Sequence, residues 1–65
     1  METHDFHFKG SQQTHEETET MSFSQSADRA LELASLWRCD VEVTIHGDPS
    51  EPQLIARESG EIIWL

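Results

Sequence analysis

The stretch Ser26–Ile45, SADRALELASLWRCDVEVTI, constrains the fold more than any other part of the chain. It reads as one helix running almost directly into one strand. Alanine, leucine and glutamate dominate it up to Arg38, and no Gly or Pro interrupts. Ser26 is the expected N-cap, its hydroxyl accepting from a first-turn N–H that the helix leaves unpaired. Asp28 is expected in the first turn and Arg38 in the last, each at the end whose dipole it complements. At about 100° per residue, Ala27, Ala30, Leu31, Ala34 and Trp37 share one stripe, with Leu33 at its edge. The alanines on that stripe let the helix axis come close to whatever it covers. Leu36 points nearly the opposite way and is expected to be exposed.

After Cys39 the period changes to two. Asp40, Glu42, Thr44 and His46 alternate with Val41, Val43 and Ile45, a half-buried strand with a polar outer face. Gly47 and Asp48-Pro49 end it. So little chain separates helix from strand that the helix must lie back across the sheet the strand joins.

Upstream, Phe6 and Phe8 alternate with Asp5, His7 and Lys9, which predicts a short first strand. Residues 10–19 read as a polar connection with the character of a mobile segment, and Glu16, Glu17 and Glu19 cluster in it. Met21 and Phe23 restore a period of two in TMSFSQ, predicting a second strand and an antiparallel hairpin. The alternative is a tail over the first twenty residues, against which the two phenylalanines argue.

Downstream, GDPSEP is a loop fixed by Pro49 and Pro52. LIARESGEIIWL predicts a hairpin turning at Ser59-Gly60. With Glu58 opposite Glu61, Leu54, Ala56, Ile63 and Leu65 share one side, and Ile55, Arg57, Ile62 and Trp64 the other. One side faces the helix. The other must meet a second subunit, a partner or the N-terminal hairpin. The expected fold is α+β, ββαβββ in order, with one helix on a small antiparallel or mixed sheet and all 65 residues in one domain.

Thirteen acidic residues against four basic ones give a formal net charge of −9. Direct contact with nucleic acid is not expected, because phosphate neutralisation needs Lys and Arg. Binding to anionic membrane is not expected on the same ground, and no apolar run approaches the roughly 20 residues that span a bilayer. The natural complement is a protein with a basic surface, although acidity also serves plain solubility. The single cysteine, Cys39, rules out an internal disulfide and reads as a packing residue in a reducing, cytoplasmic setting.

No motif carries catalysis or metal binding. His4 and His7 are an odd number of residues apart, which puts them on opposite faces of a strand, and no histidine pair has zinc-ligand spacing. Serines are plentiful, but none has the nucleophile–base context that catalysis requires. The expectation is a non-enzymatic protein without cofactor or metal.

RALELASLW followed by Glu42-Val43-Thr44 resembles the helix-to-strand segment of the small RNA polymerase inhibitor of podophages that infect enterobacteria. The resemblance covers about twenty residues. Thr44, Ile45 and His46 stand where that family carries basic residues, so no functional residue is transferred. What the resemblance implies is a phage-type inhibitor of a host enzyme.

Together these readings predict a small acidic module that occludes the basic nucleic-acid-binding surface of a host polymerase, nuclease or repair enzyme. Its contact residues would be Glu16, Glu17 and Glu19 in the first connection, Asp40 and Glu42 on the outer strand face, and Ile55 with Trp64 as apolar anchor. The alternative is a homodimer or larger homo-oligomer whose second apolar sheet face is the subunit interface.

Overall fold

A computed structural model describes residues 2–11, 15–45 and 52–65. Among them lie five strands and one helix: β1 (His4–Gly10), β2 (Glu16–Met21), α1 (Phe23–Trp37), β3 (Val41–Ile45), β4 (Pro52–Ala56) and β5 (Ile62–Trp64). The strands form one antiparallel sheet in the order β2-β1-β3-β4-β5. This is the expected α+β, ββαβββ architecture. The predicted ending of β3 at Gly47 and residues 47–51 of the GDPSEP loop lie outside the described residues, whereas Pro52, read as part of that loop, opens β4.

β1 sits between β2 and β3, so those two run the same way, and α1 crosses over β1 to link them. Alternation along each strand sends Phe6 and Phe8, Val41 and Val43, and Leu54 and Ala56 to one face. There they meet Ala30, Leu33 and Ala34 of the helix, and all nine side chains are buried. Of the predicted stripe, Ala30 and Ala34 are buried, as is Leu33 at its edge, while Ala27, Leu31 and Trp37 are half-buried against the core and Leu36 is 70% exposed. The small alanines set the close approach. At Gly10 a β-carbon would come within 3.1 Å of Cys39 Sγ, a tight approach to which the thiol would have to yield by a few tenths of an ångström. Cys39 is buried and free.

The N-cap lies four residues before the expected one. Ser22 is the N-cap: its hydroxyl accepts from the Gln25 amide at 3.4 Å, and its own amide donates to Gln25 Oε1 at 3.1 Å. This reciprocal pair is a capping box, legible in the sequence as Ser-x-x-Gln. Ser26 is instead a buried helical residue whose hydroxyl donates to the Phe23 carbonyl at 2.6 Å. Asp28 consequently lies beyond the first turn, and Arg38 lies past the last one as a left-handed cap with φ 57°. Its amide and that of Cys39 both donate to the Ala34 carbonyl, which turns the chain at once into β3.

Phe23 is therefore not in a strand. It opens the helix, with its ring edge-on to Phe6 at 5.2 Å and to His4 at 5.1 Å. The second strand is the glutamate-rich segment read as a connection, and a strand-to-helix junction at Ser22 produces the same Met21/Phe23 spacing that a strand would.

The C-terminal hairpin turns through three residues rather than two. Arg57 N–H donates to the Glu61 carbonyl at 2.8 Å, Gly60 N–H donates back to the Arg57 carbonyl at 2.9 Å, and Gly60 has φ +98°. A short turn closed by a positive-φ glycine is the usual three-residue hairpin loop. It pairs Leu54 with Trp64, Ile55 with Ile63 and Ala56 with Ile62. A change of one residue exchanges the faces of β5. Ile62 and Trp64 therefore lie on the helix side, and Ile63 lies on the other with Ile55.

Candidate functional site

The helix covers only one face of the sheet. The N-terminal hairpin extends the sheet edgewise instead of folding across it, so no other element among the described residues covers the second face. Register fixes the rows across this open face. One row runs Glu16, Lys9, Glu42, Ile55, Ile63, from edge to edge. A second row places Thr18 beside His7 and Thr44. The first row is thus charged over β2, β1 and β3 and apolar over β4 and β5, where alternation also puts Arg57 and Glu61 on this face at the hairpin end.

Over β2, β1 and β3, His7, Lys9, Glu16, Glu42 and Thr44 line a shallow depression of about 270 Å³. His7 is held at both ring nitrogens, with Nε2 3.3 Å from Glu16 Oε1 and Nδ1 3.2 Å from Thr18 Oγ1. In the neutral ring, Nε2–H donating to the carboxylate leaves Nδ1 to accept from the threonine hydroxyl. Thr20 likewise donates to Asp5. Lys9 stands between Glu16 and Glu42, so the row alternates in sign.

Of the sequence-predicted contact residues, Glu16, Glu42 and Ile55 come together in the first row. Glu17 and Glu19 do not. β2 turns them to the helix face, where Arg29 reaches over the edge strand: Nη2 donates to Glu17 Oε2 and Nε to Glu19 Oε2, both at 2.7 Å. Glu32 joins from the next helical turn. A hydrogen bond with the Glu17 carboxyl, and then the Arg29 guanidinium, hold the Glu19 carboxyl below its ordinary pKa. The hydrogen bonds Arg29 donates to Glu19 and Glu17 push it further above its already high value. A forked guanidinium suits two carboxylates two residues apart on a strand.

Asp40 precedes β3 instead of lying on its outer face. It anchors the hairpin tip, accepting from the Glu58 amide at 3.0 Å, with Arg57 Nε 4.0 Å away. Trp64 and Ile55 cannot form one anchor, because they lie on opposite faces of the sheet. The apolar companion of Ile55 is Ile63, which a two-residue turn had put on the wrong side. Lys9 and His7 were the other residues missed. Their places in the first and second rows need the β1–β2 register, which an alternation of Glu with Thr does not disclose.

No group of three or more His, Cys, Asp or Glu side chains among the described residues is placed to hold a metal ion. Among the described residues no helix is long and apolar enough to cross a membrane. A second hollow, about 360 Å³, lies between α1 and β2 and is lined by Thr20, Met21, Gln25, Asp28, Arg29 and Glu32. The chain matches no protein-family model, and none of the curated proteins or solved structures is significantly similar to it.

Proposed function

We propose that the protein is a non-catalytic binding module that docks its open sheet face on a basic surface of a nucleic-acid-handling enzyme and blocks it, as a phage-type inhibitor would. The observation that carries this reading is the row Glu16–Lys9–Glu42–Ile55–Ile63 on a face left bare among the described residues. An apolar patch bordered by polar and charged groups, here Ile55 and Ile63 at one end of the row, is a common element of protein interfaces. The net charge of −9 selects a basic partner over an acidic one and speeds encounter with it. Because Lys9 interrupts the carboxylates, the face favours a protein surface read by alternating charge over simple imitation of a phosphate row. The resemblance of the helix-to-strand segment to a podophage polymerase inhibitor makes RNA polymerase the first target to assay.

The test is capture from a bacterial lysate on immobilised protein, with elution by salt and, separately, by duplex DNA. A polymerase, nuclease or repair enzyme eluted by both supports occlusion of a nucleic-acid site. Glu16→Gln with Glu42→Gln should weaken that complex about tenfold, since each lost charge pair at a partly exposed interface contributes about 0.5–1 kcal/mol. Unchanged affinity and unchanged salt dependence in the double variant would remove the electrostatic basis of the proposal.

A further inference from the structure

The backbone of β5 carries hydrogen-bonding groups that no other described strand takes up. Arg57 N–H donates to the Glu61 carbonyl and Leu65 N–H to the Gln53 carbonyl at 3.1 Å. In an antiparallel ladder this turns Glu61, Ile63 and Leu65 toward β4, and Ile62 and Trp64 toward the free edge. From Ile62 to Leu65 there is no charged side chain, no proline and no bulge, the devices by which edges are guarded. The helix does not shelter this edge. Trp64 is 61% exposed and Leu65 65% exposed.

We propose that β5 pairs antiparallel with β5 of a second copy, on a two-fold axis through Ile63. The groups that face outward are the ones this register needs. Ile62 exchanges both backbone hydrogen bonds with Trp64 of the partner subunit, and Trp64 does the same with the partner's Ile62. On the helix side each indole then lies beside an isoleucine, a favourable cross-strand pair. On the open side Ile63 meets the partner's Ile63 at the close spacing of a non-hydrogen-bonded pair.

Charge favours a second copy in this register and at no other edge. Two chains of net charge −9 repel, so contact must fall where carboxylates are absent. Glu61 stands two residues from the axis, which leaves the two Glu61 side chains roughly 13–14 Å apart along the strands. That exceeds the Debye length of about 8–10 Å in ordinary buffer. The basic partner proposed above would set charged side chains against four uncharged residues, whereas a second copy supplies apolar complements on both faces at once. Because the axis is perpendicular to the sheet, both helices end on the same side. The two open faces then join into one floor with Ile55 and Ile63 of both copies at its centre. The dimer rests on the edge alone and stands or falls independently of the inhibitor reading.

Sedimentation equilibrium of the purified chain, from dilute to near-millimolar concentration, tests this. The expected mass rises to twice the 7.5 kDa of one chain. Ile63→Lys, which sets two ammonium groups against each other on the axis, should be monomeric throughout. Thr18→Lys on β2 should behave as the wild type. If circular dichroism shows Ile63→Lys to be unfolded, Trp64→Lys takes its place, since that side chain is mostly solvated in the single chain. A wild type that stays monomeric overturns the proposal. So does a dimer that survives substitution in β5, or one that Thr18→Lys abolishes.

Discussion

β2 and β5 are both edge strands of one sheet, yet β2 carries three glutamates in six residues and β5 no charge in three. Each turns backbone groups toward solvent. On β2 the outward groups belong to Glu16, Thr18 and Thr20, because the Gly10 amide donates to the His15 carbonyl at 3.0 Å and fixes the alternation. A second strand approaching there meets carboxylates from both faces. Approaching β5 it meets isoleucine and tryptophan. The guarded edge also has its own internal support in Arg29, which ties Glu17 and Glu19 to the helix. The comparison shows how a strongly acidic chain can retain one place to associate. It concentrates carboxylates where pairing would be harmful and omits them where pairing closes on a two-fold axis.

The largest expected effect comes from stripping the guard. Glu16→Val, Glu17→Thr and Glu19→Thr together remove the three carboxylates of β2 and give the molecule two unguarded edges, each able to pair with its own kind. Assembly would then no longer close, and light scattering should show mass growing beyond the dimer with concentration. Mass that stops at the dimer would mean that β2 is blocked by something other than its side chains.

Arg29→Ala is next. It leaves Glu17, Glu19 and Glu32 together without their cation, and urea unfolding should show a loss of about 1–2 kcal/mol. Arg29→Lys should recover only part of that loss, because an ammonium cannot fork between two carboxylates. Gly60→Ala acts at the other edge, through the turn that sets the β5 register. A side chain at φ +98° should cost about 1 kcal/mol by the same measurement.

The smallest effect separates the edges by pH. Glu19 in the folded chain titrates below its ordinary value of 4.5, so its stabilisation is present above that value and lost as pH falls through the folded pKa. The stability difference between wild type and Glu19→Gln should therefore be a few tenths of a kcal/mol or more at neutral pH. It should shrink below pH 4.5, whereas Trp64→Ala should show no such acid limb.

The same two edges divide what was legible in the sequence from what was not. The centre of the sheet could be read because Phe6, Phe8, Val41 and Val43 alternate cleanly and the Ala30–Ala34 stripe has one period. β2 could not, since its inward positions hold Glu17 and Glu19, made tolerable only by an arginine from a helix far along the chain. At β5 the strands were visible and their register was not. A two-residue and a three-residue reading of Glu58-Ser59-Gly60 fit the same letters, and one residue exchanges the faces. That slip paired Trp64 with Ile55 and hid Ile63. The helix start was displaced for a local reason, since Ser22 and Ser26 are both competent caps and Gln25 decides between them.

The most direct test of the unequal edges is amide hydrogen exchange by NMR at high protein concentration. It compares Ile62 and Trp64 with Glu16, Thr18 and Thr20. All five amides point away from the sheet within a single chain. The account predicts that Ile62 and Trp64 exchange more slowly as concentration rises, while the three β2 amides exchange freely throughout. Equal exchange at the two edges, or protection that appears at β2 instead, would contradict it.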